Sequence, residues 1–166
     1  MSFRILVLCT GNSARSQIGE ALLATCGAER AAGRVEAASA GSRPAARINP
    51  YAIETLAAHG IEWHDGAPKT IDSLGDAAFD LVITVCDNAR EACPYYPRAR
   101  AQVHWGLPDP ADHTEPESAR RAFAATYDAL AARVDALLAL PLEALDAPAL
   151  RSAAQAVHDT RPAPAV

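Results

Sequence analysis

The chain has 166 residues, half of them apolar, 21% charged and 5% aromatic, which suits one domain with a real core. No apolar run approaches the roughly 18 to 20 residues of a membrane span, and a net charge of −5 without a Lys/Arg cluster argues against nucleic acid as the main partner. The opening MSFRILVLC is too short for a signal peptide and lacks a small-residue cleavage site. A cytoplasmic location is therefore expected, and there four cysteines point to redox or metal chemistry rather than a disulfide framework.

Arg4–Cys9 (RILVLC) reads as a strand buried on both faces, as in a parallel sheet. From Ser16 the period changes: Ile18, Leu22, Thr25 and Cys26 share one helical face, and Gly27 is a natural stop. Cys26 then belongs to the core. Val35–Ala40 is a weaker strand. Asn49-Pro50 opens the next helix, with Asn at the N-cap and Pro in the first turn, and Gly60 closes it. Phe79–Val85 is a second buried strand and Gln102–Trp105 a short one. Thr114 to Glu117 fits a capping box, and Phe123, Tyr127, Leu130, Val134 and Leu137 follow at helical spacing. After Pro141 one more helix is expected over 142–157, packed on the domain or in a dimer, before a disordered TRPAPAV end. The alternation predicts an α/β sandwich with a parallel sheet. It divides into a domain over 1–140 and a C-terminal helical extension over 141–166.

The most informative stretch is Cys9-Thr10-Gly11-Asn12-Ser13-Ala14-Arg15-Ser16, between the first strand and the first helix. A loop entering a helix N-terminus aims several backbone N–H groups at one spot, and the helix dipole adds positive potential. Gly11 and Asn12 tolerate the backbone angles such a nest requires. Arg15 supplies a planar fork for two oxygens of an oxyanion. Cys9 lies at the floor of this field, which favours its thiolate, and Ser16 can donate a hydrogen bond to the sulfur. This is a nucleophile under a bound tetrahedral oxyanion. It is not a Walker phosphate loop, which needs Gly-Lys-Ser/Thr.

Downstream, Gly106-Leu107-Pro108-Asp109-Pro110 sets one carboxylate between two prolines. Displacement at a tetrahedral oxyanion needs a proton donor for the departing oxygen, and a carboxyl on a stiff loop suits that role. Cys86 follows the second buried strand directly, so a parallel sheet brings its loop to the edge that carries Cys9. Cys86 and Cys93 are two helical turns apart, about 10 Å along a helix axis, whereas a disulfide needs Cα atoms within about 7 Å. A bridge between them requires the segment to unwind, which describes a mobile redox segment. The spacing does not fit a zinc site, and no metal or other cofactor is expected.

The motifs CTGNSARSQ, VCDNAREACP and HWGLPDPA, in this order, resemble the thioredoxin-coupled arsenate reductases, which share the low-molecular-weight protein tyrosine phosphatase fold. The match runs from about Arg4 to about Leu140. The resemblance implies a four-stranded parallel sheet flanked by helices. It implies that Cys9 attacks arsenate, that residues 10–16 (Thr10, Gly11, Asn12, Ser13, Ala14, Arg15 and Ser16) cradle the oxyanion, and that Asp109 is the general acid. It also implies that Cys86 attacks the Cys9–arsenic adduct to form a Cys9–Cys86 disulfide. Cys93 then takes the bond over as Cys86–Cys93 at the surface, for a dithiol donor to reduce. Phosphate and sulfate are the natural mimics of arsenate. Thioredoxin is the implied reductant, with glutaredoxin and glutathione as the other choice.

Some members of this family bind potassium through Asn, Glu, Ser and Asp side chains. Asn12, Glu20 and Ser39 match the first three, and Lys69, the only lysine, stands where the aspartate is expected. Its ammonium can replace the ion and support the loop.

Two other readings stand beside the reductase. A phosphatase needs Cys9, Arg15 and Asp109 but neither Cys86 nor Cys93. The tyrosine phosphatases usually carry a second cysteine inside the loop, where this chain has Ala14, and a tyrosine after Asp-Pro, where it has Ala111. A non-catalytic thiol sensor or arsenical-binding protein would use the cysteines without turnover and would not need Asp109.

Overall fold

The computed structural model describes residues 2–30, 34–63, 66–87 and 94–164. Four strands, β1 (Phe3–Cys9), β2 (Val35–Gly41), β3 (Phe79–Thr84) and β4 (Ala99–His104), form one sheet in the order β2-β1-β3-β4. Every pairing is parallel. The helices are α1 (Arg15–Arg30), α2 (Pro50–Ala58), α3 (Pro116–Leu138) and α4 (Ala147–Asp159). The expected α/β sandwich is the observed one. The central strands are apolar on both faces because both faces are covered: Ile5, Val7, Leu81 and Ile83 join one hydrophobic cluster, and Leu6, Leu8 and Val82 another.

Several boundaries differ from the sequence expectation, each for a tertiary reason. Helix α1 runs through Gly27 to Arg30. A Cβ on Gly27 would lie 3.1 Å from Val35 Cβ, so the residue permits a close approach of α1 to β2 rather than ending the helix. Strand β4 starts at Ala99, three residues earlier than expected. The capping box before α3 does not form: the N-cap is Glu115, without a side-chain cap bond. Pro116 takes the first turn and holds the residue before it extended, and His113 Nδ1 meets Ser118 Oγ at 2.7 Å instead. The single helix expected over 142–157 is two pieces. A 3₁₀ turn (Leu142–Ala144) precedes α4, where Asp146 Oδ1 accepts from Ala149 N at 2.9 Å. The Asn49-Pro50 start holds as expected, with Asn49 Oδ1 accepting from Tyr51 N at 2.9 Å.

Helix α4 docks on β4. Leu150, Ala154 and Val157 are buried, Trp105 Nε1 donates to Ala154 O at 3.0 Å, and the Gln155 amide spans His104. Its Oε1 accepts from His104 N at 2.9 Å and its Nε2 donates to His104 O at 2.8 Å. Buried Arg133 on α3 donates to His158 Nδ1 and to the carbonyls of Arg161 and Pro162. Burial, and after it the Arg133 charge, pushes the His158 imidazole down, so Nδ1 remains an acceptor.

Because the strands are parallel, their C-terminal ends share one edge. Val85 N donates to Leu8 O and Trp105 N to Thr84 O, so the loops after β1, β3 and β4 leave the sheet side by side. This edge gathers Cys9, Cys86 and Asp109.

Candidate active site

The loop from Cys9 to Arg15 owes its shape to where its carbonyls go. Cys9 O accepts from Ser42 N at 3.3 Å, Thr10 O from Arg43 N at 2.9 Å, Gly11 O from Ala45 N at 2.8 Å and Ser13 O from Asn49 N at 2.9 Å. Asn12 O accepts from Gln17 Nε2 at 3.0 Å. Five successive carbonyls are thus turned outward onto residues 42–49 and Gln17. In a trans peptide the next N–H points the opposite way, and the structure has no cis bond among the described residues. The amides of Thr10 to Ala14 therefore point away from those partners, the arrangement of a backbone nest. One of them, Asn12 N, donates to Cys9 Sγ at 3.2 Å.

Cys9 is 2% exposed at the end of β1, and Ser16 Oγ lies 2.9 Å from its sulfur. Asn12 carries the loop's single left-handed residue, φ 49°. Gly11 does not adopt that conformation, contrary to expectation, so the unusual backbone angle is concentrated at Asn12. Its side chain holds it there. Nδ2 donates to Ser16 Oγ and to Ser39 Oγ, both at 2.8 Å, and Oδ1 accepts from Lys69 N at 3.0 Å.

Ser39 Oγ donates in turn to Glu20 Oε1 at 2.5 Å. Burial pushes the Glu20 carboxyl up, while the Ser39 hydrogen bond and the Lys69 charge draw it back. The four residues read from the sequence as loop support, Asn12, Glu20, Ser39 and Lys69, are thus one network. Potassium does not fit it well: Asn12 Oδ1 is occupied by the Lys69 amide, and the Lys69 charge already faces Glu20.

Arg15 is 3% exposed and joins three loops. Nη1 donates to Leu107 O at 2.9 Å and Val85 O at 3.4 Å, and Nη2 lies 3.4 Å from Asp109 Oδ2. Asp109 caps a 3₁₀ turn (Pro110–Asp112), its Oδ1 accepting from Ala111 N at 3.0 Å. The stiff loop therefore delivers a half-exposed carboxylate beside the cradle's guanidinium.

Cys86 follows β3 and is fully buried, although a surface bond was expected. It is disulfide-bonded, whereas Cys9 and Cys26 are free thiols. Cys93 lies outside the described residues. Cys26 packs at the core margin, as expected, and burial pushes its thiol up. Among the described residues no His/Cys/Asp/Glu group could hold a metal.

Three contributors to the site were not read from the sequence. Gln17 is fully buried and bridges Asn12 O to Trp63 Nε1, which donates to its Oε1 at 2.9 Å. The signal was available, a glutamine on the inner face just inside α1. Gly41 pairs with Cys9 in the sheet register, and a Cβ there would lie 2.4 Å from Thr10 O. The wrap over 42–49 carries no local signal, because its function is to donate amides to a distant segment.

A family model for low molecular weight phosphotyrosine protein phosphatases matches residues 4–149. The chain belongs to this family. It is 38% identical over 116 residues to an arsenate reductase of Brevibacillus brevis, covering 70% of this chain and 83% of that one. A solved arsenate reductase in the phosphate-binding state superposes with a TM-score of 0.69 at 25% identity, over 82% of this chain and 97% of that chain. A thioredoxin-dependent arsenate reductase of Corynebacterium glutamicum gives a TM-score of 0.55 at 29% identity, covering 81% and 62%.

Proposed function

We propose that the protein is an arsenate reductase working through Cys9, Cys86 and Cys93. The observation that supports the reading is a second chemically distinct cysteine, directly after β3 at the sheet edge that also carries Cys9. Cys86 is disulfide-bonded beside the edge where Cys9 is a free thiol. The relatives that bear the reductase name support the reading.

In the first step the Cys9 thiolate attacks arsenate and forms an S–As bond, while Asp109 protonates the departing oxygen, which leaves as water. The amides of residues 10–14 and Arg15 hold the remaining oxygens. In the second, the Cys86 thiolate attacks the Cys9 sulfur. An S–S bond forms, the S–As pair stays on arsenic, As(V) becomes As(III), and arsenite departs. In the third, the Cys93 thiolate attacks Cys86 and frees Cys9 as a thiolate. A Cys86–Cys93 disulfide then accepts two electrons from an external dithiol, for which thioredoxin is the proposed source and glutathione with glutaredoxin the alternative.

The test is arsenate-dependent NADPH oxidation with thioredoxin and thioredoxin reductase, beside hydrolysis of an aryl phosphate. Strong, arsenate-requiring consumption is the expected result. Brisk phosphate release without it would overturn the reading in favour of a phosphatase that needs only Cys9, Arg15 and Asp109. Silence in both, with glutathione and glutaredoxin also tried, would favour the sensor.

Lys69 takes the cation's role in this reading. The rate is expected to be the same in potassium and sodium buffers of equal ionic strength. A several-fold difference would show that an ion, and not the ammonium, neutralises Glu20.

A further inference from the structure

The arginines of this chain are mostly spoken for. Among the described residues eight of them reach a carboxylate within 4.0 Å: Arg4, Arg15, Arg30, Arg34, Arg98, Arg100, Arg120 and Arg121. Arg133 and Arg161 donate to backbone carbonyls. Arg43, Arg47 and Arg151 make no side-chain hydrogen bond or ion pair among the described residues, and the first two lie on the same short segment. That segment is the wrap around the catalytic loop. Arg43 N holds Thr10 O, and Arg47 stands two residues before Asn49, whose N holds Ser13 O. Both side chains are exposed, and no acidic residue occurs from Gly41 to Pro50.

We infer that Arg43 and Arg47 form an electrostatic rim that collects small oxyanions at the mouth of the Cys9 loop. This rests on the proposed arsenate chemistry for its substrate but not for its test. The chain carries a net charge of −5, so a dianion approaches against the overall field. Two permanently charged guanidiniums beside the loop reverse that field locally, where it decides the rate of capture.

Cys9 alkylation measures the rim without any turnover. Iodoacetate is an anion and iodoacetamide its neutral counterpart; both leave a thioether on sulfur and release iodide. The ratio of their rates at Cys9, followed by peptide mass spectrometry, reports the potential at the loop mouth, and Cys26 in the same sample is the internal reference. In Arg43→Gln/Arg47→Gln, the Cys9 ratio is expected to fall several-fold at about 0.01 M salt, where charges act over about 30 Å, and to converge with the parent near 1 M. The Cys26 ratio should not move. A Cys9 ratio equal to the parent's at low salt would overturn the rim. If arsenate turnover is present, the same variant loses kcat/KM at low salt rather than kcat. If turnover is absent but the alkylation ratio shifts, the rim stands and only the reductase reading falls.

Discussion

Cys86→Ser is expected to bring catalytic arsenate turnover to background while leaving aryl phosphate hydrolysis within about twofold of the parent, a split that assigns Cys86 to one reaction alone. A serine hydroxyl cannot form a disulfide with Cys9, so the Cys9–arsenic adduct loses the thiol assigned to release arsenite. On the proposed mechanism, binding and the first attack use the nest, Arg15 and Asp109, and hydrolysis of a phosphomonoester needs no more than these. The phosphatase measurement also serves as the fold control, because Cys86 is fully buried and its replacement touches the core. Full multiple-turnover arsenate reduction by this variant would remove Cys86 from the mechanism.

Gly41→Ala should damage both reactions together. The methyl group would sit 2.4 Å from Thr10 O and 3.0 Å from Asn12 N, and both atoms belong to the backbone of the catalytic loop. Neither is the flexible end of a side chain, so the loop itself must shift by about an ångström, and displacements of that size cost about 100-fold in rate. The loss is expected in arsenate reduction and aryl phosphate hydrolysis alike, with a cooperative thermal transition retained. Parent-like rates would mean that the loop is not held by the wrap as its hydrogen bonds indicate.

These two substitutions also mark what the sequence revealed and what it did not. The placement of the segment from Cys9 to Ser16 was legible because its signals are local: a buried strand, a short loop and a helix N-terminus follow one another along the chain. Asp109 and Cys86 were legible as strand-end residues, since a parallel sheet brings such loops to one edge. The supports were harder to see. Gly41 looks like the end of a weak strand until its register places it beside Cys9. Gln17 matters because its amide meets a carbonyl five residues back and an indole 46 residues ahead. The misplaced helix boundaries have the same origin. Local propensity makes Gly27 a breaker, but tight contact with Val35 requires a missing side chain. The capping box before α3 failed because Pro116 dictates the backbone around it.

The docking of α4 has a consequence for how the molecule behaves in a crowded solution. Strand β4 has a sheet neighbour on one side only, and an uncovered strand of that kind is a template on which another chain can add itself. The Gln155 side chain takes up both the N–H and the C=O of His104, the two groups such a visitor would need there. Nearby, Gln102 Nε2 donates to Pro94 O and Arg100 Nη2 to Leu145 O, laying long side chains along the same margin. The C-terminal helix thus fills the open margin of β4 at His104, leaving neither main-chain group of that residue unpaired.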